Sequence, residues 1–466
     1  MLYRILFIII LHLIVLAQGC APARSSRSSG APLFIQVHYT NPLSGITLEA
    51  AERLLSGKAH NFKDIGGPDR PLHVRVDQAM EKNVRKKFPR LKFQAASFES
   101  DTLMADRSFV GLSDIRGLRP CYKILYIGGT LPWGRLRDDY SLADDRVYPL
   151  SLRGAEDWDP ERHINIVQTA TTAMTRAFIP SVDRSGDPLS PVRYTKNITR
   201  QADIAITSNE VSFVDNCAYP LKNNMVFCTP DRFFPIFTES GFNFIELTGN
   251  HNNDFGSRYN TRSIEMLEKA GIDYFGGGKN RADAERVHYR TVKGTVVALV
   301  GFNECGPDAA WATETKAGAA RFRRDLFVSL IAEAVKKARV VLVTVQWCNE
   351  NEPVPQEIQK KFFRLAADMG ATIMISSSSH RPMGLEFYRG RFISYGLGNF
   401  LFDQMQTINT RRGLIARHHI YAGKHIATEL IPILMHDYSQ PRPLAGSDAR
   451  ALMDEVFRWS IGPAFR

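Results

Sequence analysis

The sequence predicts a layered α/β protein, with a smaller α/β lobe ahead of a larger α/β domain. Three observations predict it. From Ile164 onward, short apolar runs alternate with amphipathic stretches, the pattern of strands and helices stacked in layers. Those runs stop abruptly in polar residues, as in IELTGNHNNDFG at 245–256. A polar segment without apolar periodicity, SLRGAEDWDPERH at 151–163, reads as a linker between this region and what precedes it. At 466 residues the chain exceeds one ordinary domain, and 44% hydrophobic against 23% charged residues is globular composition.

The first residues, MLYRILFIIILHLIVLAQGC, place Arg4 before an apolar run from Ile5 to Ala17. That length suits the core of a signal peptide and is short for a membrane span. Residues 1–20 resemble a bacterial lipoprotein signal, which implies lipidation at Cys20, export, and attachment to the membrane of the cell envelope. Residues 21–32, rich in Ser, Pro and Gly, read as a flexible tether.

Within 33–150, Ala50, Ala51, Leu54 and Leu55 follow Thr47 at helical spacing, so a helix is expected from Thr47 to Ser56 with Thr47 as its N-cap. A turn at Gly66, Gly67 and Pro68 and then a strand follow. The stretch 41–76, with Phe62 where the pattern has Trp, and the later GLRPCYKILYIGGTLPWG resemble periplasmic solute-binding proteins of the phosphate-binding type. The resemblance covers about one lobe of such a protein, which leaves a closing cleft unassured.

In the larger region, 164–466, apolar runs occur at 164–167, 204–207, 242–247, 296–302, 340–345 and 372–375. Helices are expected at 258–270, where Ile264, Leu267 and Ala270 share a face, and at 326–338, 355–369 and about 448–459. Hairpin strands fill the tail. The residues at which the runs stop are TATTAMTR, TSNE, TGNH, FNEC, QWCNE, SSSSH and YGLGN. In α/β sheets the ligand crevice lies outside the carboxyl ends of the strands, so these polar groups are expected to converge. Asp254 has a competing reading as the cap of the helix beginning near Gly256.

At these residues a family becomes recognisable. The run DIAITSNE, then GNHNNDFG, QWCNE, SSSSH and YGLGNFLFDQ resemble, in order, the motifs of the poly-γ-glutamate capsule synthesis protein CapA family. That resemblance implies a calcineurin-like, metallophosphoesterase-type domain, work on an anionic polymer or phosphate-bearing substrate alongside envelope assembly proteins, and a divalent ion, Mn, Fe or Zn. The ligands it carries over are Glu210, Asn250 and His380. The sequence departs from the pattern at three ligand positions: Thr171 stands for an Asp, and Gln346 and Ser378 each stand for a His. A site of His251, Glu210, Glu350 and Gln346 can still do acid and base chemistry, with His251 as proton donor and a Glu fixing its tautomer or acting as base. Asn209, Asp254, Thr171, Ser378, Tyr395 and Asn399 are the expected substrate contacts.

Composition narrows the classes. No Lys/Arg block with interleaved aromatics appears, which argues against nucleic acid. The formal charge of +11 and pI near 9.3 favour anionic partners. No cysteine pair has CxxC spacing, which argues against a thiolate zinc site. Cys217 with Cys228, and Cys305 with Cys348, are the pairs within reach of one another, and the sequence leaves both pairings open.

Overall fold

The structure is a computed structural model that describes residues 31–137, 140, 142–143, 148–217, 219, 225–347 and 352–465. Cys20, Cys348 and Glu350 lie outside the described residues.

The lobe is built on a five-stranded mixed sheet. Strands β1 (Phe34–His38), β2 (His73–Asp77), β3 (Gln94–Ala96), β4 (Phe109–Ser113) and β5 (Tyr122–Ile124) lie in the order β3-β2-β4-β1-β5. Helix α1 (Leu48–Leu55) covers it, and its first turn is tied as expected: Ala50 N–H donates to Thr47 Oγ1 at 3.1 Å. Gly66, at φ 85°, closes the next turn in a conformation that a side chain would strain.

The larger domain stacks two mixed sheets face to face. In the first, β6 (His163–Ala173), β7 (Ile204–Asn209), β8 (Phe244–Glu246) and β9 (Asp273–Phe275) run parallel. The second holds β10 (His288–Val292), β11 (Thr295–Asn303), β12 (Val340–Gln346) and β13 (Ile373–Ser377), then β14 (Leu385–Tyr388) and β15 (Arg391–Ser394), in the order β10-β11-β12-β13-β15-β14. The first sheet is completed by β16 (Asn399–Phe402), parallel to the end of β6, and by β17 (Arg412–Tyr421), β18 (Lys424–His436) and β19 (Gln440–Pro443).

Period-two alternation divides the second sheet between two layers. Val297, Leu299, Val340 and Leu342 face the first sheet, while Ala298, Val300, Val341 and Val343 pack under the helices α3 (Arg324–Lys337) and α4 (Glu357–Met369). Helix α2 (Ser257–Lys269) buries Ile264 and Leu267 on the first sheet. Each strand so predicted lies within two residues of its expected start. The run at 164–167 extends to Ala173, because Thr171 to Ala173 pair with β16 after β6 has left β17. This is the layered α/β arrangement the motifs implied.

The segment 151–163 holds the two parts together rather than hanging free. Ser151–Leu152 pairs with Ala31–Pro32, and Trp158 packs on Trp133, His163 and Tyr421. The lobe also enters the domain's core: Tyr39 meets Phe387, Phe457 and Phe465, and its hydroxyl donates to the Thr428 carbonyl at 3.2 Å. Among the described residues, no helix is long and apolar enough to cross a membrane.

Candidate functional site

The carboxyl ends of β6, β7, β12 and β13 bring their polar stops together. At the centre is Gln346, the last residue of β12, buried between the sheets. Its Nε2 donates to Asn250 Oδ1 at 2.9 Å and to Glu210 Oε1 at 3.4 Å, while its Oε1 accepts from Asn303 Nδ2 at 3.0 Å. Three loops meet through one amide. Glu210 Oε2 and Asn209 Oδ1 are buried with no hydrogen-bond partner among the described residues. Buried acceptors in that condition call for a donor from a ligand, an ion or water.

His251 stands beside this network. Its Nδ1 lies 2.7 Å from Asp254 Oδ2, and its ring packs 4.2 Å from that of Phe227. The same Asp254 oxygen accepts the Phe227 N–H at 2.8 Å. A carboxylate at Nδ1 puts the proton there and leaves Nε2 as the ring's basic nitrogen. The capping reading of Asp254 is thereby overturned: α2 has Gly256 at its N-cap with no side-chain bond, because the carboxylate is turned to the imidazole.

His380 is held from a second direction. Its Nδ1 is 3.0 Å from Asn399 Oδ1, and Asn399 Nδ2 is spent on the His380 carbonyl, Gln404 and the Thr410 carbonyl. Asn399 therefore orients the imidazole, with its own amide groups engaged by these partners. Ser378 Oγ lies 3.5 Å from His380 Nε2, and both residues have positive φ, 58° and 53°. Two non-glycine residues in the left-handed region within one turn are a strained arrangement that the surrounding bonds must hold. One such bond runs from Ser378 N–H to Thr171 Oγ1 at 3.1 Å.

Tyr395 is not part of the site. Its hydroxyl donates to Glu386 Oε2 at 2.6 Å, and its ring packs on Phe363 beneath α4. The side chain of a residue one position past a strand falls on either face, and here it falls on the helix side. Glu350 lies outside the described residues, so its part is not placed.

Sequence reasoning missed a pair that joins the two histidines. Arg176 closes the TATTAMTR run and pairs with Asp403, with Nε at 3.0 Å from Oδ1. Its guanidinium lies 4.7 Å from the Phe227 ring and 5.0 Å from the Phe402 ring. Phe227 backs His251 and Phe402 meets His380 edge-on at 5.3 Å. Glu246 was missed as well. It is buried below the site, with Thr248 Oγ1 donating to it at 2.6 Å and Ser377 Oγ at 2.9 Å. Burial raises its pKa, against the pull of those hydroxyls.

Among the described residues, the donor set does not fit a two-ion hydrolytic centre. Such a centre takes several carboxylates and neutral imidazoles. Among the described residues no three His, Cys, Asp or Glu side chains come together to hold an ion. The neutral substitutes are spent within the site: Thr171 binds Ser378, and Gln346 binds Asn250 and Glu210.

Residues 163–404 match the model of the bacterial capsule synthesis protein PGA_cap. A capsule biosynthesis protein CapA of Bacillus anthracis is 29% identical over 213 residues, 45% of this chain and 51% of that protein. A PGA biosynthesis protein CapA of Bacillus subtilis is 28% identical over 234 residues, 48% of this chain and 61% of that protein. The chain thus spans between half and two thirds of the length of these relatives. The solved structure of a 5'-nucleotidase precursor from Thermus thermophilus is 10% identical, covering 64% of this chain and 58% of that one with a TM-score of 0.36.

Proposed function

The chain belongs to the bacterial capsule synthesis protein PGA_cap family, and from that premise we propose that it works in the synthesis or export of an anionic capsular polymer such as poly-γ-glutamate, cleaving or transferring the polymer's amide bond. In this reading residues 1–20 export the chain and Cys20 anchors it to the envelope. The observation that carries the chemistry is the 2.7 Å contact between His251 Nδ1 and Asp254. His251 Nε2 takes the proton of a water attacking the amide carbonyl, Asp254 stabilises the imidazolium that forms, and the proton passes to the departing amine. Glu210, Gln346 and Asn250 line the approach, and the unpartnered oxygens of Glu210 and Asn209 accept N–H groups of the polymer.

The purified full chain tests this by the length distribution of poly-γ-glutamate after incubation. The wild type shortens the polymer; His251→Ala lowers kcat about 10²–10⁴-fold, the usual range for a lost acid–base group, with polymer affinity kept. The internal neutralisation of Thr171, Gln346 and Ser378 favours a second reading, in which the site grips the polymer without turnover. Unchanged polymer length with undiminished binding by the wild type establishes that second reading and removes the first.

A further inference from the structure

The run SSSSH carries four hydroxyls, and the fold gives them different work. Ser376 Oγ donates to the Ser377 carbonyl at 3.4 Å, Ser377 Oγ to Glu246 at 2.9 Å, and Ser379 Oγ to the Arg381 carbonyl at 2.8 Å. Of the four, the Ser378 hydroxyl is the one that faces an imidazole, with Oγ 3.5 Å from His380 Nε2.

The tautomer of His380 follows from the amide behind it. Three acceptors, the His380 and Thr410 carbonyls and Gln404 Oε1, surround Asn399 Nδ2 at 2.9 to 3.2 Å, so the amide atom 3.0 Å from His380 Nδ1 is the oxygen. An oxygen there accepts a proton held on Nδ1, which leaves Nε2 with its lone pair toward the serine. A hydroxyl, a basic nitrogen and a group that fixes that nitrogen's tautomer are the parts of an activated nucleophile. The 3.5 Å separation is longer than a strong hydrogen bond, and contacts of this kind tighten when substrate binds.

The backbone adds two features. Ser378 is the first residue past β13 and has φ 58°, and a strained turn at a strand end is where nucleophilic serines are displayed. The N–H groups of Ser379 and His380 enter no hydrogen bond among the described residues, although both residues are buried. Buried donors in that condition call for an acceptor, and the N–H of the residue after a nucleophile is one that holds an oxyanion.

We propose that Ser378, His380 and Asn399 form an acyl-transfer triad that takes the acyl group of an ester or amide onto Ser378 Oγ. Oγ adds to the carbonyl carbon while His380 Nε2 takes its proton, and the oxyanion that forms is met by the Ser379 and His380 N–H groups. As it collapses, the bond to the alcohol or amine breaks, that group departs with the proton from Nε2, and an ester to Ser378 remains. Water or a second amine then attacks the ester and gives its proton to Nε2, and Oγ leaves with that proton. Asn399 acts through His380 as a positioning residue. The inference goes beyond the reading built on His251, in which water attacks directly and no group is held on the chain. With Ser378 2% and His380 5% exposed, the centre suits a slender acyl group.

The test incubates the full chain with p-nitrophenyl acetate, whose acyl group is small, and locates acetyl groups by peptide mass mapping after an acid quench. The wild type is expected to release a burst of nitrophenol matching one acetyl on Ser378. Ser378→Gly removes the hydroxyl but adopts the left-handed backbone freely, and is expected to give no burst. His380→Asn, also at ease in that backbone, is expected to slow acylation about 10²–10⁴-fold. Asn399→Ala is expected to slow acylation at saturating ester while leaving the half-saturating concentration unchanged, because the imidazole loses its fixed tautomer. Circular dichroism confirms the fold of each variant. No acetyl on Ser378 of the wild type overturns the proposal, as does a burst that survives in Ser378→Gly or an unchanged rate in either other variant. The polymer-length assay is read separately: acylation without shortening keeps this triad and removes the polymer reading, and shortening without acylation does the reverse.

Discussion

Glu246 is a residue whose role only the structure exposes. It sits on β8 of the first sheet yet takes the Ser377 hydroxyl from β13 of the second, so it ties the two sheets at the end where the site forms. Because burial raises its pKa in the folded state, its contribution to stability is complete at pH values below the unfolded carboxyl pKa and declines as pH rises through the folded one. Glu246→Gln keeps an acceptor for both hydroxyls without the buried charge, so the urea midpoint at pH 7 to 8 is expected to stay level or rise. Glu246→Ala removes the acceptor shared by the Thr248 and Ser377 hydroxyls, which lie 3.3 Å apart and keep only each other, and is expected to lose about 1–3 kcal/mol, read from the same urea curves. At this scale the sequence showed which residue types stand at strand ends: Glu210, Asn250 and Gln346 meet, and the backbone of His251 bridges to Val211 next to Glu210. It did not show direction: Tyr395 turned to the helix side, Asn399 to His380, and Asp254 to His251. The left-handed backbone at Ser378 and His380 was not legible, because even His, which is enriched there, adopts it only rarely.

Among the elements, the segment ending at Cys228 matters beyond its size. The Cys217–Cys228 disulfide closes a separation of 11 residues, and the next residue back, Phe227, supports the His251 ring and donates its N–H to Asp254. Cys305 is also disulfide-bonded, with its partner outside the described residues. Removing the first bridge by Cys217→Ala/Cys228→Ala is expected to cost about 3 kcal/mol from loop entropy alone. It is also expected to lower polymer turnover, since the wall behind the imidazole is loosened. Thermal melting and the polymer-length assay on the double variant check the two effects. Strands and helices were legible because period-two and helical patterns are strong in the buried layers, as in β11 to β13 under α3 and α4. The extension of β6 to Ala173 was not, since TATTA lacks the apolar run by which strands are recognised.

Across the whole molecule, buried histidines set the response to acid. Burial lowers the pKa of His418 well below its ordinary value and that of His425 to about 3; the two share the Thr428 hydroxyl where the lobe and domain meet. A lowered folded pKa means the unfolded chain takes up protons first, so the stability from these groups is full above about pH 6.5 and is lost as pH falls below it. Each costs about 1.4 kcal/mol per pH unit there, so urea midpoints are expected to drop steeply from pH 7 to 5. His38, whose pKa burial lowers to about 4, adds a third such group, so His418→Gln is expected to flatten that slope by about a third. The division into lobe, segment 151–163 and domain was visible as a change of pattern, but the joint was not, because contacts such as Tyr126 to Glu429 at 2.7 Å join residues 303 apart.

That joint opposes any hinge between the lobe and the domain. Solute-binding proteins capture cargo by swinging two halves about a hinge, and a swing here would tear Tyr39 from Phe387, Phe457 and Phe465 and strip Glu429 of its phenol partner. Small-angle scattering is expected to return one unchanged radius of gyration whether or not inorganic phosphate is added, where a flytrap would contract.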